Sequence, residues 1–141
     1  MDREVLAVYR AAGERFEPRW YAVFAALRDD GPLTVGELAR RLGISHAAVS
    51  QIRSALEAED LIRGAADPWD GRRQVLSLTE EGRQTAARLA PLWSAIAAAV
   101  GDLLAEHAPT LPADLDALEQ AVEARGLAAR IGPTLDQDIA Q

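Results

Sequence analysis

Residues 45–54 place Ser45, His46, Ala47, Ser50, Gln51 and Ser54 on one helix face if Val49, Ile52 and Leu56 turn inward, with Arg53 at the flank. Hydroxyls, an amide and a methyl suit the edges of base pairs: Gln can pair with adenine, Ser can donate or accept, and a methyl can touch that of thymine. Arg72 and Arg73 lie in a Gly- and Asp-rich turn between two short apolar runs, where guanidinium groups would suit a narrow, strongly negative minor groove. Catalytic chemistry has much less to work with. The absence of cysteine excludes thiolate nucleophiles, disulfides and Cys-ligated zinc, and only Asp67, Asp70 and two distant histidines, His46 and His107, remain. No enzyme, metal site or cofactor is expected.

The elements that must position these residues are helices. From Val5 to Phe16, Leu6, Tyr9, Ala12 and Phe16 recur at helical spacing, and a second stripe of Trp20, Val23, Phe24 and Leu27 follows Pro18, a residue suited to a first turn. Thr34 and Glu37 form a capping box, so a helix should start at Val35 and end at Gly43. Ser45 should cap the next helix, whose inner face is Ala48, Val49, Ile52 and Leu56. Residues 61–63 and Val75, Leu76 and Leu78 read as the two arms of a hairpin. Thr79, with Glu80 and Glu81 in the first turn, opens a long helix to about His107, with a kink expected at Pro91 inside it. After Pro109 and Pro112, a final helical stretch carries Leu115, Leu118, Val122, Leu127 and Ile131, and the chain should fray from Pro133.

Composition agrees with a mainly α fold carrying one small β-hairpin. Among 141 residues there are 29 Ala, 15 Arg, no Lys and only seven aromatics, a mix poor in bulky strand formers. The net charge of −7 opposes nucleic-acid binding, yet it is unevenly spread. Residues 33–78 hold six Arg and six acids, whereas residues 79–141 hold four Arg and ten acids. No apolar run of about 18 residues and no signal-like N-terminus is evident, so a cytoplasmic protein without a membrane partner is expected.

Between Glu37 and Ser54, small Ala39, turn-forming Gly43 and β-branched Val49 and Ile52, with Leu38, Leu42 and Ile44, occupy the packing positions of a helix-turn-helix. Together with Asp70-Gly71-Arg72 and the later Leu78-Thr79-Glu80-Glu81-Gly82, residues 33–82 resemble the winged helix-turn-helix of MarR-type transcriptional regulators. The resemblance extends over roughly residues 5–125. It implies that Arg72 reaches the minor groove and that Asp70 supports the wing. It leaves Arg73 as an extra cation without a defined role.

A helix over residues 80–107 would be about 42 Å long, more than the width of a compact globule of this size, so its apolar stripe needs cover. A two-fold homodimer supplies it, as the resemblance also implies for the first helix and the last two, and would set two recognition helices about one DNA turn apart on a palindromic site. The expected organisation is therefore N-terminal helices (1–32), a DNA-binding lobe (33–79), C-terminal dimerisation helices (80–132) and a flexible tail (133–141). Phe16, Trp20, Tyr21 and Phe24, with Trp93 on the long helix, are either plain core or the lining of a pocket for a small aromatic effector. The expected function is sequence-specific regulation of transcription from double-stranded DNA, most often repression. The rival is an effector-binding or protein-interaction module that keeps the fold without strong operator binding.

Overall fold

A computed structural model describes residues 2–66 and 74–138, with side chains through residue 132. Its helices are α1 (Asp2–Ala11), α2 (Tyr21–Asp30, preceded by a 3-10 turn at Pro18–Trp20), α3 (Val35–Leu42), α4 (His46–Ala58), α5 (Glu80–His107), α6 (Leu111–Ala124) and α7 (Leu127–Asp138). Three strands, β1 (Leu33–Thr34), β2 (Ile62–Ala66) and β3 (Gln74–Leu78), form an antiparallel sheet in the order β1-β3-β2. Leu33 pairs with Leu76, and Ile62 with Leu78.

Local chemistry sets the α3–α4 corner. Thr34 Oγ1 accepts from the Glu37 amide at 3.2 Å while a Glu37 carboxylate oxygen accepts from the Thr34 amide at 2.8 Å. That reciprocal cap starts α3 where the sequence places it. Gly43 then adopts φ 64°, a conformation that costs little only without a Cβ, and both its amide and that of Ile44 donate to Ala39 O. Ser45 caps α4 through its hydroxyl, 3.1 Å from the Ala48 amide. Thr34→Ala should lower stability by about 1 kcal/mol. The check is urea unfolding, in which the midpoint should fall while the slope stays unchanged.

The chain forms two compact units, residues 1–94 and 95–141. The first holds the core: Tyr9, Phe16, Val23, Phe24, Leu27, Leu38, Val49, Leu56, Ile62, Leu76 and Leu89 are buried. Ala39 is buried where α3 meets α4, as the helix-turn-helix reading requires. With β2 and β3 following that pair, the fold is a winged helix-turn-helix.

Several expectations are corrected. The first helix ends at Ala11, not Phe16, because Gly13 turns at φ 75° and the Glu14 amide donates back to Tyr9 O. Phe16 enters the core from the connecting segment. The sheet has a third, two-residue strand, β1, that the sequence did not disclose. α5 keeps its expected span, Glu80–His107, with Pro91 inside it. The last stretch is two helices divided at Arg125 and Gly126, and α7 runs past Pro133 to Asp138 instead of fraying there. α5 is also long and apolar enough, by length and composition alone, to cross a membrane, although its polar residues interrupt any continuous apolar run. Its Thr85, Ala86, Leu89 and Trp93 are buried within the first unit.

In the second unit α6 has no buried residue, and Leu103, Leu111, Leu115, Leu118, Val122, Leu127 and Ile131 are all exposed.

Candidate nucleic-acid interface

α4 positions the polar face by burying the opposite one. Val49 and Leu56 are fully buried and Ile52 packs on the core, which leaves Ser45, His46, Ala47, Ser50, Gln51 and Ser54 exposed. No acid occurs among residues 45–54. The Ser54 hydroxyl donates to Ser50 O at 3.1 Å, so it offers an acceptor outward and not a free donor. His46 lies at the helix start beside Gly36, where a Cβ would be 3.6 Å from its ring.

Arg53 is placed differently from the other six. It is half-buried and donates from Nε to Glu57 Oε1 at 2.9 Å. Two nearby cations that the sequence analysis did not single out, Arg40 on α3 and Arg63 on β2, are exposed and unpaired among the described residues. Their exposure follows from lying outside the apolar periodicity of their elements, which is the signal that would have found them. The neighbouring Arg41 is tied to Asp30 at 2.7 Å. Asp70, Arg72 and Arg73 lie outside the described residues, as does Trp69.

The hairpin base and α5 meet at a close joint. Asp60 takes φ 55°, Thr79 Oγ1 donates to its carbonyl, and the Thr79 amide donates to Leu61 O at 3.1 Å. The Thr79 hydroxyl also accepts from the Gly82 amide at 2.9 Å, which caps α5.

The five aromatic residues come together, but as rings packed on one another. Phe16 meets Tyr9, Trp20, Phe24 and Trp93 edge-on with centroids 5.2–5.7 Å apart. Tyr21, the exposed member, stands 5.2 Å from Trp93, and the Arg28 guanidinium lies 5.2 Å from the Trp93 ring. Burial pushes the Tyr9 phenol above its ordinary range, while the hydrogen bond from the Trp93 indole at 2.9 Å works the other way. Trp20 Nε1 is buried without a hydrogen-bond partner among the described residues. Beside this cluster Phe16 also lines a cleft of about 220 Å³ with Glu14, Arg15, Glu59, Glu81 and Arg88. Arg88 there pairs with Glu14 at 2.8 Å, and Arg15 lies 3.7 Å from Glu59.

A sequence model of the MarR family matches residues 16–73, which span the helix-turn-helix and β2 and end just before β3. The HTH-type transcriptional repressor NicR of Pseudomonas putida is 34% identical over 62 residues, 44% of this chain and 39% of NicR. The chain therefore aligns with less than half of that relative's length. Among solved structures, the PcaV transcriptional regulator of Streptomyces coelicolor, solved with its natural ligand, is 27% identical with a TM-score of 0.64 over 84% of this chain and 83% of PcaV. BpsR of Bordetella bronchiseptica, whose DNA binding is regulated by 6-hydroxynicotinic acid, has a TM-score of 0.65 over 86% of each chain at 20% identity, a likeness of fold. The family pattern lies on the same helix pair that the fold displays: over residues 16–73 this chain matches the MarR family, and over most of its length it shares the fold of PcaV and BpsR.

Proposed function

We propose that the protein is a homodimeric, sequence-specific regulator of transcription that binds double-stranded DNA at a palindromic operator and acts as a repressor. The observation that carries the proposal is the exposed, acid-free face of α4, capped by Ser45 and backed by a fully buried Val49 and Leu56. Ser45, His46, Ala47, Ser50, Gln51 and Ser54 face the major groove in this reading, with Arg53 at the flank. Arg72 and Arg73 enter the adjacent minor groove, supported by Asp70, and Arg40 and Arg63 supply phosphate contacts. The repressor assignment draws on the name of NicR.

Dimerisation is supported by the exposed leucines and valine of α6, an apolar row of the kind that marks interaction surfaces. A small aromatic acid that relieves binding is proposed by analogy with BpsR, whose ligand is of that kind. The cleft that Phe16 lines is where this chain would receive it; Trp20, Tyr21, Phe24 and Trp93 belong to the packed ring cluster beside it and do not line it, and its cations Arg15 and Arg88 lie against Glu59 and Glu14.

Titration of a bound duplex against salt tests the central part. Log affinity should fall with log salt at about −0.9 per phosphate neutralised. Gln51→Ala should cost about 1–3 kcal/mol on the preferred site and relax its base choice without changing that slope. Salt-independent or absent duplex binding would favour the effector-binding or protein-interaction alternative.

A further inference from the structure

The seat of Arg53 carries an inference beyond groove contacts. Its guanidinium, bonded through Nε to Glu57, lies over Gly64 of β2. A Cβ at Gly64 would stand 2.8 Å from Arg53 Nη2, 3.4 Å from Arg53 Cζ and 3.3 Å from Glu57 Oε1. Gly64 is not among the glycines at positive φ, which are Gly13, Gly31 and Gly43. The backbone at Gly64 therefore suits an ordinary residue, and what a side chain there would meet is the guanidinium, which would have to leave its seat.

We propose that Arg53 is a positioning residue: held by Glu57 and seated on Gly64, it fixes the angle between α4 and the β2–β3 hairpin, so that both can engage one duplex together. This rests on the DNA-binding reading and departs from a direct contact by Arg53. The geometry favours the positioning role for three reasons. The side chain is half-buried, its Nε is already committed to a carboxylate, and its planar group lies along the strand that leads into the hairpin. A planar fork packed between two elements defines their spacing better than a solvated cation does. Gly64 pairs with Leu76 of β3, so the seat lies on the paired part of the hairpin.

A double-mutant cycle on the full chain tests this with Gly64→Val, Arg53→Ala and both together, each read on a duplex selected by the parent. Valine suits a strand and fills the seat, so the variant should fold while displacing the guanidinium. Gly64→Val should weaken binding about tenfold with Arg53 present and less than about twofold once Arg53 is Ala, since contacting residues couple and independent ones add. Hydrogen exchange without DNA supplies the second arm. Amide protection in β2 should fall in either single variant and no further in the double one. Equal penalties from Gly64→Val in both backgrounds would overturn the proposal. So would an Arg53→Ala salt slope lowered by about one phosphate without coupling, which marks a direct contact. If the parent bound no duplex, the exchange arm would still decide whether Arg53 holds the hairpin, and the failure would then belong to the DNA-binding reading alone.

Discussion

Gly82→Ala should be among the most destabilising substitutions in the chain, at about 3 kcal/mol or more. A Cβ at Gly82 would stand 2.0 Å from Leu61 O, 3.0 Å from Leu61 C and 3.4 Å from Leu78 Cβ. Two of those atoms are backbone, so no side-chain rotation relieves the clash. The segment that would have to move also carries the positive φ of Asp60 and the hydrogen bonds from Thr79. Overpacking a tight site costs about 1–3 kcal/mol, and a clash against an anchored carbonyl falls at or above the upper end. Gly36→Ala is the internal comparison: a Cβ there meets only His46 Cε1, at 3.6 Å, and alanine favours helix by up to about 1 kcal/mol. Chemical denaturation of both variants checks the pair. An unchanged midpoint for Gly82→Ala would show that α5 does not approach the Leu61 carbonyl as described.

The second large effect concerns assembly. Leu111, Leu115, Leu118 and Val122 follow one another at helical spacing along α6, and each is at least two-fifths exposed. Placing carboxylates in the middle of that row, by Leu115→Asp with Leu118→Asp, should convert the proposed dimer to monomer, because an unpaired charge cannot be buried at an apolar interface. Neither residue belongs to the buried core, so the helix-turn-helix should remain folded. Operator affinity should nevertheless fall by about 10²–10⁴-fold, the advantage lost when a second half-site contact ceases to be intramolecular. Light scattering reports the mass and a duplex titration the affinity. A double variant that stays dimeric, or a monomer that binds as tightly as the parent, would remove α6 from the interface or the dimer from the mechanism.

What the sequence disclosed depended on how local the cause was. The Thr34–Glu37 box, Gly43 in the turn, the Ser45 cap and the inward set of Val49, Ile52 and Leu56 each arise within a few residues, and each was visible without coordinates. The family pattern also marked Gly82, but its physical reason, a carbonyl from the end of α4's connection pressed against the helix, appears only in three dimensions. Periodicity misled where apolar spacing outlasted the helix: Phe16 continues the Leu6–Tyr9–Ala12 stripe but belongs to the core from a loop. β1 is two residues long and exists only through pairing with β3, so it had no signal of its own. The Arg125–Gly126 break was hidden inside a run of otherwise helical residues.

The candidate interface was legible in part for the same reasons. Six of the seven residues assigned to the α4 face are exposed, as their spacing required. Arg53, the seventh, could have been suspected from Glu57 one turn later, a spacing that favours an ion pair. Its seat on Gly64 depends on how the hairpin folds back, which no local rule supplies. The aromatic residues clustered as expected, yet edge-to-face packing consumes most of the space that a pocket would need.

Selecting bound fragments from a random pool of duplexes, using the intact chain, bears on the whole proposal most directly. The expected result is an enriched sequence with two-fold symmetry, its half-sites centred about one helical turn apart, 10–10.5 base pairs. Enrichment of no sequence, or of a single unrepeated half-site bound as well by a monomer, would contradict paired recognition helices reading one operator.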